Sequence, residues 1–137
     1  MKQTWLTGEV FQNIFPIPRA VFDLGLGPGD LLVYVYLLYR KNSRSGKCWP
    51  SYRDISKAVG LDRKTIRKHV CSLVDAGLIE TENTTVRWGG HTYNGNLCYT
   101  LIPIKDVLAR RNKALLAELK LAEQRRKAAQ KLPALQR

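Results

Sequence analysis

Four cations fall within six residues at Arg63, Lys64, Arg67 and Lys68, and no acidic side chain lies between Asp62 and Asp75. Guanidinium and ammonium groups at this density bind anions, and either can donate to O6 and N7 of guanine in a major groove. Thr65, set among them, adds a methyl group that can meet the methyl of thymine. The helix that must carry these residues is burdened by them, because its dipole favours negative charge in the first turns. A solvated helix face ordinarily mixes both signs, since opposite charges four residues apart support the helix. An anionic partner accounts for a sequence that accepts this cost. The bland alternative is a fragment of an ordinary α-helical core.

The elements that position these cations run from Trp49 to Ile79. Ser51 with Asp54 three residues on is a capping-box arrangement, and it predicts a helix start. Ile55, Ala58 and Val59 follow at helical spacing, and Gly60 supplies the left-handed residue that ends a helix. Asp62 caps a second helix whose Ile66, Val70, Leu73 and Val74 share a core-facing side. Gly77 stops that helix, and Leu78-Ile79 leads into a strand. Two helices around a tight turn make a helix-turn-helix, with the second helix, 63–75, as the reading element. Ser51, Tyr52 and Arg53 open the first helix, where hydroxyls and helix N-terminal amides suit phosphate contacts. Strand character over Leu78 to Trp88 and again over Leu97 to Ile102 predicts a hairpin, with turn-formers at Gly89-Gly90-His91 and Asn94-Gly95-Asn96. Its tip carries Arg87, Gly90 and His91, and glycine there lets backbone approach a phosphate closely. His91 is equally an ordinary loop histidine.

The residues Trp49-Pro50-Ser51, Gly60, Arg63-Lys64-Thr65-Ile66-Arg67 and Gly77-Leu78-Ile79 carry a family pattern. Over about residues 14 to 102 the chain resembles the winged helix-turn-helix modules of bacterial and mobile-element proteins. It is most similar to those of plasmid and phage replication proteins, and more distantly to GntR-type regulators. The resemblance implies a mainly α fold with a small β-hairpin wing, and binding of double-stranded DNA. It also implies that Arg63, Lys64, Thr65, Arg67 and Lys68 face the groove.

The rest of the chain is read as support. Residues 1–15 are expected to form an arm, and Phe15-Pro16-Ile17-Pro18 is too proline-rich for a helix. The resemblance implies a short turn next, over Arg19 to Asp23, with Val21 and Phe22 packing inward. A helix over Pro28 to Lys41 should bury Leu31, Leu32, Val35, Leu38 and Tyr39, with Tyr34 and Tyr36 at the margins. Asn42 to Cys48 reads as a polar loop, and Trp49 as a core anchor. Beyond Pro103, a glycine-free helix runs from Ile104 to about Lys131. From Lys105 onward the chain holds ten Lys and Arg against three Asp and Glu, a net of +7. Leu108, Leu115, Ala122 and Ala129 recur every seven residues, beside Leu116 and Leu119. That seam could pair two subunits as a homodimer, pack back on its own domain, or run along DNA. The expected division is therefore 1–27 arm and turn, 28–103 winged helix-turn-helix, and 104–137 basic helical tail.

Composition narrows the function classes. The 137 residues carry a net charge of +12 with a pI near 10.0, the electrostatic footprint of a nucleic-acid binder. The apolar run that begins at Leu31 ends by Tyr39, nine residues, against roughly 20 for a membrane span. No apolar signal region opens the chain, so a cytoplasmic protein without membrane attachment is expected. Cys48, Cys71 and Cys98 lack metal-ligand spacing, so no metal or cofactor is expected, and Cys71 and Cys98 read as core or near-core thiols. His69 and His91 have no Ser, Cys or carboxylate in a recognisable catalytic spacing, and no phosphate-binding loop occurs. No catalytic residue is assigned. The favoured function is sequence-selective binding of double-stranded DNA by a transcription regulator. A replication-initiation protein of a plasmid or mobile element is the alternative, and a protein–protein adaptor is the alternative of another class.

Overall fold

A computed structural model describes residues 13–135, with side chains to Lys131. Most of the expected N-terminal arm lies outside the described residues. From Ile14 to Pro18 the chain forms neither helix nor strand, as two prolines dictate. Arg19–Asp23 is a single 3-10 turn. It buries Val21 but leaves Phe22 82% exposed, a correction to the expectation, because adjacent residues on so short a turn point in different directions.

Helix α1 (Pro28–Arg40) opens with proline in its first turn, where the missing N–H is no loss. Its buried residues are Val33, Tyr34, Leu37 and Leu38, while Leu32 and Tyr39 are exposed. The expected stripe was thus turned away from the true one. The segment is apolar on every side, so its periodicity could not say which face meets the neighbours. Strand β1 (Lys47–Cys48) follows in what reads as loop. Cys48 points inward and Trp49 outward, half exposed, with Pro50 buried in its place. Alternation along extended chain explains the swap.

Helices α2 (Tyr52–Val59) and α3 (Arg63–Asp75) form the helix-turn-helix. The Ser51 hydroxyl accepts from the Asp54 N–H at 3.0 Å, and the Asp54 carboxylate accepts from the Ser51 N–H at 3.2 Å, a complete capping box. Gly60 ends α2 with φ of 75°, a conformation that costs other residues a steric penalty. The Asp62 carboxylate accepts from the Thr65 N–H at 2.7 Å to start α3. Ile66, Val70 and Leu73 are buried, whereas Val74 and Ala58 stand exposed against expectation. Both lie at the edges of their apolar stripes. Helices α1, α2 and α3 pack pairwise on one another, with Ile55, Ile66, Leu73, Leu37 and Tyr34 at the centre.

Strands β2 (Ile79–Glu82), β3 (Thr85–Trp88), β4 (His91–Asn94) and β5 (Cys98–Leu101) complete the wing. β5 is the middle of an antiparallel sheet in the order β1-β5-β2, with Ile79 opposite Leu101 and Cys48 opposite Tyr99. β3 and β4 pair separately as a two-stranded ribbon. The expected long strands are therefore broken. Asn94-Gly95-Asn96 is no hairpin turn but a joint between root and tip. There the Gly95 N–H donates to the Thr84 carbonyl at 2.8 Å, and the Thr84 hydroxyl donates to the Asn96 carbonyl. A Cβ at position 95 would sit 2.5 Å from Thr84 Oγ1, so the pinch requires glycine.

The chain divides into two units between Ile104 and Lys105. Helix α4 begins at Ile104 and runs to Leu135 over 32 residues, about 48 Å at the usual rise, and from Lys105 on it forms the described part of the second unit. Leu115, Leu116, Leu119 and Leu121 are exposed along it, and Lys127 pairs with Glu123 at 3.5 Å. The fold is a mainly α winged helix-turn-helix with a small β-hairpin wing and a long C-terminal helix.

Candidate nucleic-acid interface

Burial of Ile66, Val70 and Leu73 fixes which way α3 faces, and helical geometry then dictates the rest. Lys64, Arg67, Lys68, Cys71 and Asp75 are all exposed and form one stripe opposite the core. Arg63 is exposed at its margin. Among the described residues, none of the four cations forms an ion pair, so their charge is available to a ligand. Cys71 was missed as a member of this stripe and read as a core residue. Its spacing, four residues after Arg67 and seven after Lys64, would have placed it among the cations.

Thr65 is less available than expected. It is half-buried, and hydrogen bonds from its side chain and backbone hold the Asp62 carboxyl below the usual aspartate range. The hydroxyl thus serves the helix cap. At the start of α2 the Ser51 hydroxyl is likewise engaged with its own helix, and hydrogen bonds from the Ser51 backbone and side chain lower the Asp54 carboxyl. Tyr52 is half-buried and Arg53 exposed. Tyr52 lines a groove with Arg67, Cys71, Thr81, Asn83 and Leu97, so the first turn of α2, the exposed side of α3 and the root of the wing border one depression.

The wing residues divide between two faces. Gly89 and Gly90 have φ of 57° and 80°, the pair of left-handed residues that a tight two-residue hairpin turn demands. Arg87 lies opposite Thr92, and His91 opposite Trp88. Successive side chains of a strand point to opposite faces, so Arg87 and His91 are on different sides of the ribbon. They cannot act on the same group.

Sequence spacing also concealed a polar cluster. Asp30, in the first turn of α1, has Oδ1 2.6 Å from His69 Nδ1, and its Oδ2 accepts from the Ser72 hydroxyl at 2.6 Å. Histidine, carboxylate and serine do meet, across 39 and 42 residues of chain. The carboxylate stands in the middle, however, so the serine proton is directed at Asp30 and not at imidazole. Base-assisted nucleophilic attack needs the base on the hydroxyl. The cluster instead ties the start of α1 to the inner flank of α3. Gly29 makes room for it, since a Cβ there would lie 2.3 Å from the His69 ring.

Among the described residues no three His, Cys, Asp or Glu side chains gather as a metal site, and no helix is long and apolar enough to cross a membrane. Residues 24–79 match the family model of a helix-turn-helix domain. No curated protein matches the sequence. Among solved structures, the chain is 19% identical to a possible transcriptional regulator from Methanosarcina mazei, with a TM-score of 0.46 over 79% of this chain and 96% of that one. It is 18% identical to a MarR family transcription regulator, with a TM-score of 0.43 over 86% and 71%. It is 19% identical to BpsR of Bordetella bronchiseptica, whose DNA binding is regulated by 6-hydroxynicotinic acid, with a TM-score of 0.40 over 83% and 67%. The winged helix-turn-helix assignment stands on the topology and on the family match, and these distant likenesses add nothing to it.

Proposed function

We propose that the chain is a transcription regulator that binds double-stranded DNA with sequence selectivity. The observation that carries this reading is the exposed stripe of α3, cationic and without ion pairs, on a helix whose other face is held by the core. The helix-turn-helix match over residues 24–79 supports it. In this reading α3 lies in the major groove, where Arg63, Lys64, Arg67 and Lys68 donate to base edges and nearby phosphates, with Thr65 at the side. Ser51, Tyr52 and Arg53 position the phosphate backbone through backbone amides and side chains. Arg87, Gly90 and His91 bring the wing to the flanking duplex. The division into 1–27, 28–103 and 104–137 and a homodimer through α4 belong to the same proposal. Catalysis is no part of it.

The test is capture of fragmented source DNA by the full chain, followed by sequencing and by salt titration on the enriched site. A two-fold symmetric promoter motif is expected. Lys64→Ala with Lys68→Ala should weaken binding and flatten the salt slope by about 0.9 per lost phosphate contact. An unchanged slope would remove α3 from the interface. Enrichment of direct repeats beside a replication gene would reassign the role to replication initiation. Absence of enriched DNA would leave the adaptor reading.

A further inference from the structure

The ribbon of β3 and β4 has a composition that the regulator reading does not use. All eight of its strand residues are exposed, so neither face rests on a core. The pairing places Val86 opposite Tyr93 and Trp88 opposite His91. With alternation along each strand, these four side chains share one face. Trp88 is 77% exposed, Tyr93 53% and Val86 51%, and the His91 ring packs edge-on to Tyr93 at 6.4 Å. Thr85, Arg87, Thr92 and Asn94 occupy the other face. One side of the ribbon is aromatic and the other is polar with one cation.

Water is a poor partner for this arrangement. A lone tryptophan in solvent is ordinary, whereas a tryptophan, a tyrosine and a valine grouped on one face of an isolated ribbon keep apolar area hydrated. Two features decide what covers it. The segment 83–96 contains Arg87 and no Asp or Glu, so the ribbon presents no charge that repels phosphate. Its root meets helix α3, because Asn83 and Leu97 border the same groove as Arg67 and Cys71, with Asp75 as the groove's one carboxylate and the other α3 cations on the exposed stripe beyond it. Aromatic rings joined to a basic track are the chemistry that takes unstacked bases, each of which has a π-face to lay on a ring.

We propose that the wing tip is a stacking platform for unpaired bases, formed by Trp88 and Tyr93 and edged by Val86 and His91. Arg87, on the opposite face, meets backbone phosphate. The inference rests on the DNA-binding reading and adds a preference for duplex that carries an opened or unpaired segment beside the site held by α3.

The experiment uses the full chain with two labelled probes. One is a fully paired duplex bearing the captured site, or random duplex if no site emerges. The other is the same duplex with a short unpaired thymine tract on one flank. The wild type is expected to bind the interrupted probe about tenfold more tightly than the paired one, within the range of one stacked base. Trp88→Ala with Tyr93→Ala should abolish that preference and leave paired binding unchanged. Trp88→Phe, which keeps a ring, should retain part of it and guards against loss of the ribbon fold. Paired binding without any preference in the wild type would overturn the platform and leave the regulator reading standing. A preference that survives the double variant would also overturn it. So would a double variant that turns a dimer into a monomer in sedimentation, since the aromatic face would then belong to a second copy. Binding to neither probe would overturn both readings.

Discussion

Cys71 is exposed one turn beyond Arg67 on the cationic side of α3, whereas Cys48 and Cys98 are buried. Burial pushes the Cys48 thiol up to about 11, and its hydrogen bond goes to the Leu37 carbonyl. The thiolate is the reactive form, so the three cysteines should separate in a labelling experiment. At pH 8 a maleimide should modify Cys71 rapidly and the other two only on unfolding, as read by mass spectrometry of digested protein. Added duplex should slow Cys71 labelling if α3 enters a groove. Equal labelling with and without DNA would count against that placement. At this scale the sequence was legible where chemistry is local, as at Ser51, Asp54 and Asp62, whose caps are short-range hydrogen bonds. At Cys71 the spacing from Lys64 and Arg67 carried the signal, but the residue's small apolar character pointed to the core instead.

Helix α3 depends on the Asp62 cap, and the cap depends on charge. Hydrogen bonds from Thr65 hold the Asp62 carboxyl below its ordinary 3.8. A carboxylate with a lowered folded value contributes stability that is complete above the unfolded value and is lost as pH falls through the folded one. The melting temperature of Asp62→Ala should therefore lie below that of the wild type at neutral pH. The gap should narrow as the pH is taken from about 4 downward, as followed by circular dichroism. A gap that stayed constant through that window would mean the cap does not act through its charge. Element boundaries were legible for α2 and α3 because Ser51, Gly60, Asp62 and Gly77 mark them chemically. The facing of α1 was not, since Leu31 to Leu38 offers apolar side chains all round and only the packed neighbours choose among them. The split wing escaped because its joint is a contact between Thr84, Gly95 and Asn96, which no local pattern announces.

The whole molecule carries +12, of which +7 belongs to the chain from Lys105 onward. That distribution asks α4 to be both cationic and, on one side, apolar. Leu115 and Leu119 are exposed there and lie four residues apart on one face. A homodimer through this seam predicts a dimeric mass for the wild type in analytical ultracentrifugation and a monomeric one for Leu115→Lys with Leu119→Lys. A monomeric wild type would discard the seam. The seven-residue recurrence was visible in the sequence, but the partner was not, because Asn112 and Arg126 interrupt the seam and a helix pattern cannot say what it meets.

The Asp30 clamp on His69 and Ser72 has a consequence for how this chain could diversify. It grips α3 along one flank, through His69 and Ser72, and Ser72 borders the same depression as Lys64, Arg67, Lys68 and Cys71. The groups that hold the helix at its angle therefore adjoin the groups that would meet a ligand. A library varied at Lys64 and Arg67 would sample new binding preferences on an unchanged frame, whereas changes at Lys68, one turn before Ser72, and at Cys71, beside it, would also press on the clamp.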